Sequence, residues 1–321
     1  MDNHSPVKVG LIGLGNMGRN HLRVLSMLKQ VDLAFIYDLD IERAEELAKT
    51  HNTKALTDIN DAFNSDIDAL VISTPTSTHA QYLEQAIGKI PNIFVEKPMT
   101  ETLEEAEKIS VLAKEHGTNI QIGFIERFNP AVHQLNQVLK KSSNVINIDF
   151  TRTNKLSSRI TDVDVISDLM IHDIDLAIHL NGSVKNVSAH GSIDNNLINF
   201  ASAILTHDNG HFSRIQASRI TEKKMRKIEA TCEDVFIDCE LLRKEIIVTS
   251  QSRIKQDDGR PYTISAVQEA IEVRPQEALL LQHQSFIASC QGVKNPTNPN
   301  ITDGLESLKI CDMIQKEIYA C

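Results

Sequence analysis

Hydrophobic and polar positions follow two different periods along the first third of the chain. A short apolar run at 7–12 is followed by Leu22, Leu25 and Leu28 at helical spacing, then by a second apolar run at 33–37. Short apolar runs bounded by turn residues predict buried strands, and the i, i+3 recurrence predicts an amphipathic helix. The alternation continues with a helix at 41–50 behind the capping residue Asp40, a strand at 69–72 and a helix at 78–87. A strand at 93–95, a charged helix at 103–116 ended by Gly117, and a strand at 120–122 complete it. Strand and helix in turn predict an α/β unit with a parallel, doubly wound sheet, which binds ligands at the carboxyl ends of its strands.

The pattern changes after Gly123. A strand at 145–152 and a helix at 163–180 precede strand-like runs at 184–190, 197–205, 211–217, 227–231, 235–238 and 245–248, with little helix between them. Asp208-Asn209-Gly210 marks a hairpin turn. Residues 252–268 are polar and read as a long loop, and helices at 277–290 and 303–319 close the chain. Two domains are expected: 1–122 with the doubly wound sheet, and 123–321, an α+β domain with a large, mostly antiparallel, open-faced sheet. Few helices are available to cover that face, which predicts a homodimer or homotetramer.

The first strand ends in Gly13-Leu14-Gly15-Asn16-Met17-Gly18, a helix begins at once, and the second strand ends in Asp38, 20 residues after Gly18. This is the dinucleotide-binding fingerprint of a Rossmann domain in its full context. Gly13 permits the tight turn, Gly15 leaves room for a pyrophosphate, and the helix N-terminus offers unpaired N–H groups to it. The Asp38 carboxylate is expected to accept from the adenosine ribose hydroxyls and to repel a 2′-phosphate, which favours NAD over NADP. A glycine-rich turn that binds nothing is the alternative.

Composition narrows the classes of function. The 321 residues suffice for two domains, and 41% hydrophobic with 24% charged residues is ordinary for a globular chain. No apolar run is long enough to span a membrane. The first strand starts so early that no signal peptide is expected. Cys232, Cys239, Cys290, Cys311 and Cys321 form no C-x-x-C pair, which suggests reduced thiols and a cytoplasmic protein. A net charge of −10 argues against nucleic acid.

Several residues have the chemistry of a reaction site. Thr74-Pro75 and Glu96-Lys97-Pro98 follow the strands at 69–72 and 93–95, at the cofactor end of the sheet. Lys97 is then either at a strand tip facing the cofactor or in an ordinary turn. Asp168 and His172 stand four apart in a helical segment, with Asp164 four before and Asp175 three after. A carboxylate beside an imidazole suits general-base work on a hydroxyl, and equally describes a helical surface pair. A metal would need further ligands from His190, His207 or His211, which are scattered, so no metal site is expected. Arg127 and Asn129 mark the domain junction, as pocket residues or as a linker stopped by Pro130. The basic run 219–227, with Lys224 and Arg226, either meets substrate phosphates or is a solvated loop.

Together these motifs resemble the glucose–fructose oxidoreductase, inositol dehydrogenase and rhizopine catabolism (GFO/IDH/MocA) family over nearly the whole chain. The matching elements are the glycine fingerprint, the Ser73-to-His79 segment STPTSTH, Glu96-Lys97-Pro98, Asp168-x-x-x-His172-x-x-Asp175 and Asp303-Gly304-Leu305-Glu306. The segment from Glu126 to Val132, the segment from Asp168 to Asp175, and Lys224-x-Arg226 look like the branch of UDP-N-acetylglucosamine 3-dehydrogenases and related nucleotide-sugar 3-dehydrogenases.

The resemblance implies NAD as cofactor, bound by Gly13, Gly15, Asn16, Met17, Gly18, Asp38, Thr74, Pro75, His79, Glu96 and Lys97. It implies Lys97, His172 and Asp168 as the catalytic group. It implies Arg127, Asn129, Asp168, His172, Lys224 and Arg226 as the substrate contacts, and a pathway aminotransferase as a partner. A free polyol or aldose as substrate, and a non-catalytic NAD-binding regulator, are the rival readings. The chain departs from the family pattern at Asp164-Val165-Ile166-Ser167 and Met170, where many relatives carry glycines. Gly88-Lys89-Ile90-Pro91-Asn92 reads as a longer surface turn.

Overall fold

The structure, a computed structural model, describes residues 5–155, 163–250, 253–255 and 263–320. Strands β1 (Val7–Ile12), β2 (Val31–Tyr37), β3 (Ala69–Ile72), β4 (Asn92–Val95) and β5 (Asn119–Ile122) are parallel and ordered β2-β1-β3-β4-β5. Their connections carry α1 (Asn16–Met27), α2 (Ile41–His51), α3 (Ile59–Phe63), α4 (His79–Ala86) and α5 (Leu103–His116). Helices cover both faces of such a sheet, so its central strands are apolar on both sides; all four residues of β3 are buried. The helix ends follow local chemistry. Asp40 accepts from the Arg43 N–H at the start of α2, Thr102 and Glu105 form a reciprocal cap on α5, and Gly117 ends α5 at φ 65°. Strand order reverses between β1 and β3, the switch point where ligands bind in sheets of this kind. The turn at 88–92 is exposed at Gly88, Lys89 and Pro91 but anchored by Ile90, which is buried.

The second body of structure starts with α6 (Pro130–Leu139), which the sequence pattern did not reveal, and β6 (Val145–Thr153). A π-helical turn at Ile166–Met170 leads into α7 (Ile171–Asn181). The strands that follow are β7 (Val184–Asp194), β8 (Leu197–His207), β9 (Phe212–Ser218), β10 (Met225–Cys232), β11 (Val235–Glu240), β12 (Glu245–Ser250), β13 (Arg253–Lys255), β14 (Thr263–Ser265) and β15 (Gln268–Ile271). Eight of the strands form one sheet in the order β15-β12-β11-β10-β6-β9-β8-β7, antiparallel except for the β6–β9 pair; β13 and β14 pair separately. Residues 252–268, expected as a loop, thus hold two short strands and the start of β15, while 252 and 256–262 lie outside the described residues.

Side chains alternate across this sheet as a half-covered sheet requires. Ser213, Ile215 and Ala217 of β9 and Ile228 and Ala230 of β10 are buried on one face. Helix α7 lies on that face, where Arg152 of β6 makes a paired contact with Asp173 at 2.8 Å through both Nε and Nη2. The strand registers place Ile204, Phe212, Phe236 and Ile247 together on the other face, and all four are exposed.

Helices α8 (Ala278–Cys290) and α9 (Ile301–Tyr319) finish the chain. The structure divides into two compact units, Met1–Phe128 with Glu277–Leu308, and Asn129–Gln276 with Lys309–Cys321. A single boundary between 122 and 123 would leave α8 with the second domain. It belongs with the first because Leu279, Phe286 and Ile287 complete the core of β1, β4 and α1, where Phe286 meets Phe94 edge-on at 5.6 Å. Helix α9 begins in the first unit and continues into the second.

Candidate active site

The glycine turn after β1 is shaped by close backbone approaches. Gly13 adopts φ 88°, and a Cβ there would lie 2.4 Å from the Ser73 carbonyl oxygen; at Gly18 a Cβ would lie 1.9 Å from the Gly13 carbonyl oxygen. Helix α1 can therefore pack against the turn only with glycine at 18. Gly15 is different: a Cβ there meets nothing within 4 Å, so the space beside it is open. Gly15 precedes α1 without a side-chain cap, and the first turn of α1 carries no acidic residue. Its N–H groups and the positive end of the helix dipole are left for an anion.

That open space is a cleft of about 390 Å³ lined by Gly13, Gly15, Asn16, Met17, Asp38, Thr74 and Pro75, all expected from the sequence. Tyr37, Arg43 and Tyr82 line it too. Asp38, at the end of β2, is fixed by the Leu14 N–H at 2.6 Å and the Asp40 N–H at 2.9 Å. The cleft offers a pyrophosphate the open helix end and a ribose diol a carboxylate acceptor. The residues present therefore fit a dinucleotide.

Gly18, His79, Glu96 and Lys97 do not line this cleft. His79 is buried, with Nε2 3.0 Å from the Thr74 carbonyl oxygen and Nδ1 2.9 Å from that of Pro98. Burial lowers its pKa against the pull of these carbonyls, and a ring nitrogen that carries a proton donates to the carbonyl it faces. It ties the β3 tip to the turn after β4. Lys97 is half-buried just beyond β4, and its N–H donates to Glu96 Oε2 at 3.3 Å. Glu96 Oε1 lies 2.8 Å from His21 Nε2, and His21 Nδ1 lies 2.6 Å from His283 Nε2. Both imidazoles are fully buried against Phe94. Burial first, and the neighbouring His21 second, hold the His283 pKa well below the usual range for histidine.

In the second unit Asp168 lies in the π-helical turn and His172 in the first turn of α7, half-buried. The Ile171 N–H donates to the Ile166 carbonyl, a five-residue step, so the register between the two side chains is not that of a continuous α-helix. Asp168 Oδ2 accepts from Arg219 Nη2 at 3.3 Å, and Arg219 is itself buried. Asp164 is a capping residue that accepts from the Ile166 and Ser167 N–H groups, and Asp175 is fully buried.

The remaining candidates separate. The side chain of Arg127 is buried and bridges to Asp303 at 2.8 Å within the first unit, while Asn129 caps α6 by accepting from the Ala131 N–H. Lys224 lines an open hollow of about 660 Å³ with Met225 and Lys227, and Arg226 does not; strand alternation puts Arg226 on the face of Ile228, beside Arg152. His207 is a core residue with ring contacts to the Gly182 carbonyl and Ser213 Oγ; His190 is exposed and His211 half-buried. Cys232, Cys239, Cys290 and Cys311 are unbridged, and burial pushes the Cys290 thiol up to about 12.

Comparison with known proteins decides the family. Residues 7–124 match the family model for the oxidoreductase family NAD-binding Rossmann fold, and residues 146–237 match the GFO/IDH/MocA C-terminal domain. UDP-N-acetylglucosamine 3-dehydrogenase of Acidithiobacillus ferrooxidans is 30% identical over 286 residues, 88% of each chain. The chain belongs to the GFO/IDH/MocA oxidoreductase family. Another similar member is the scyllo-inositol 2-dehydrogenase (NAD(+)) of Bacillus subtilis, 28% identical over 322 residues, which are 92% of this chain and 89% of that one. The solved structure of the A. ferrooxidans enzyme superimposes with a TM-score of 0.87 at 26% identity over 99% of both chains.

As a GFO/IDH/MocA enzyme the protein is an NAD-dependent dehydrogenase acting on a CH–OH group. Sequence reasoning missed Arg43, Tyr37 and Tyr82 in the cleft, and His21 and His283 behind Glu96. Arg43 stands five residues after the fingerprint aspartate, a signal that was available. His283 lies 262 residues from His21, and no local pattern connects them.

Proposed function

We propose that the protein oxidises the 3-hydroxyl of a UDP-N-acetylhexosamine, such as UDP-N-acetylglucosamine, to a ketone. The observation that carries this reading is the similarity to UDP-N-acetylglucosamine 3-dehydrogenase, which extends through the second domain and covers 88% of each chain. The cofactor residues are Gly13, Gly15, Asn16, Met17, Gly18, Asp38, Thr74 and Pro75, with His79, Glu96 and Lys97 supporting the strand tips. NAD, when bound, supplies the hydride acceptor. His172 accepts the hydroxyl proton at a ring nitrogen, and Lys97 donates to the same oxygen as negative charge develops. The same net reaction results with the two roles exchanged. Asp168, oriented by Arg219, positions the sugar or His172. Arg127, Asn129, Lys224 and Arg226 are the further substrate contacts in this reading.

A free polyol or aldose is the second reading, supported by the inositol dehydrogenase relative. In the proposed setting the enzyme is cytoplasmic, works as a homodimer or homotetramer, and passes its ketone to an aminotransferase. Thermal melting with NAD present separates the two substrate readings. A ligand that binds the folded state raises Tm by mass action. UDP-N-acetylglucosamine is expected to raise it more than myo-inositol or glucose; the reverse order assigns the protein to the polyols.

A further inference from the structure

A chain of buried side chains stands behind Lys97, wholly within the first unit. His283 of α8, His21 of α1 and Glu96 just beyond β4 come from three elements, and both imidazoles pack on Phe94 with ring centroids 5.4 Å from its own. His283 Nε2 lies 2.6 Å from His21 Nδ1, and His21 Nε2 lies 2.8 Å from Glu96 Oε1. The two rings are fully buried and the Glu96 side chain is 11% exposed. Its other oxygen, Oε2, accepts from the Lys97 N–H at 3.3 Å. Gly123 closes that side, since a Cβ there would stand 2.9 Å from Oε2. The carboxylate is thus held from both sides.

The far end of the chain sets the direction of its protons. A contact between two ring nitrogens needs one donor and one acceptor. If His21 donated to His283, the proton of a neutral His283 would sit on Nδ1, which is buried with no partner among the described residues. A buried N–H without an acceptor is rare and costs the desolvation of that group. With His283 donating, only a lone pair is left there. His21 Nδ1 then accepts, and His21 Nε2 carries a proton that it donates to Glu96.

We propose that His21 and His283 are positioning residues for Lys97: two neutral imidazoles, each protonated at Nε2, donate in series onto Glu96, and the carboxylate so fixed holds the Lys97 backbone at the β4 tip. The inference rests on the reading of Lys97 as a group that acts on the substrate hydroxyl. Neither ring lines the dinucleotide cleft, so both act through Glu96. Hydrogen bonds in such a chain polarise and strengthen one another.

The test has two arms that need no substrate and one that does. Ring-nitrogen NMR shifts of the isotope-labelled protein are expected to show both histidines neutral and protonated at Nε2 at neutral pH; a proton on His283 Nδ1 overturns the proposal. His283→Phe keeps an aromatic ring beside Phe94 and removes the donor, whereas the amide of His283→Gln restores a donor near the place of Nε2. The Lys97 amide proton is expected to exchange with solvent about tenfold faster in His283→Phe and near the parent rate in His283→Gln. Parent-like exchange in His283→Phe also overturns the proposal.

The third arm is kcat for NADH formation, with UDP-N-acetylglucosamine and myo-inositol run in parallel. His283→Phe is expected to lower kcat about tenfold with the NAD Kd unchanged, and His283→Gln to recover most of it. In a Lys97→Ala background, His283→Phe is expected to have no further effect; a merely structural role would lower kcat again. A parent kcat in His283→Phe overturns the proposal while the Lys97 reading stands. A parent kcat in Lys97→Ala removes the Lys97 reading, and the proposal falls with it.

Discussion

The backbone N–H of Leu14 donates to the Asp38 carboxylate at 2.6 Å, which joins the glycine turn after β1 to the tip of β2. The residue expected to read the ribose therefore also holds the phosphate turn in shape. Asp38→Ala is expected to raise the NAD Kd, to narrow the preference for NAD over NADP, and to lower Tm because the Leu14 N–H loses its acceptor. Melting curves and kcat/KM with both cofactors check this. A parent enzyme that works as well with NADP contradicts it.

Lys97→Ala and His172→Ala are each expected to lower kcat by about 10²–10⁴-fold, the usual cost of a lost general base or oxyanion donor. NAD binding, read by fluorescence, should stay near the parent value. The double variant should be little worse than either single one, since groups that act as a unit are not additive. Near-normal kcat in both single variants removes this catalytic group and leaves the family assignment intact.

His283 links stability to pH. Its folded-state pKa is held well below the ordinary value by burial and by His21. Below about pH 6.5 the unfolded chain takes up a proton that the folded chain does not. Stability is therefore complete above that pH and is lost as pH falls from there toward the folded pKa, by at most about 1.4 kcal/mol per pH unit for this one group. His79 is shifted in the same direction. Tm is expected to fall between pH 7 and pH 5, and His283→Leu to flatten that slope. An unchanged slope in His283→Leu would place the pH sensitivity elsewhere.

The exposed face of the eight-stranded sheet, where Ile204, Phe212, Phe236 and Ile247 lie among ion pairs such as Arg214–Asp149 and Lys227–Asp238, should mediate self-association. Phe236→Asp and Ile247→Asp, neighbours on that face, are expected to shift a dimer or tetramer toward monomer in light scattering. A parent protein that is already monomeric at micromolar concentration rules this out.

The first domain was legible because its signals are local. Strand runs, the glycine fingerprint, Asp38 and the Asp40 and Gly117 caps each act within a few residues, and each is where the pattern put it. Helix α8 was misassigned because its amphipathic pattern cannot say which core Phe286 enters; that depends on Phe94, far away in the chain. The π-helical turn was hidden because Ile166 to Met170 have ordinary helix composition, and the wider turn comes from a backbone step between Ile171 and Ile166. Arg219 read as part of a basic run that either meets substrate phosphates or is a solvated loop. Its partner Asp168 is 51 residues away, and long-range pairing of this kind leaves no mark in composition. Arg226 and Lys224 looked equivalent, and strand pairing beside Arg152 separates them.

The central claim is the identity of the substrate. The most direct measurement is NADH formation from NAD with UDP-N-acetylglucosamine deuterated at C3, compared with myo-inositol and glucose under the same conditions. The account predicts a higher kcat/KM for the nucleotide sugar, transfer of the C3 deuterium to the NADH formed, and a 3-keto product. NADH formation from inositol or glucose with none from UDP-N-acetylglucosamine would contradict it.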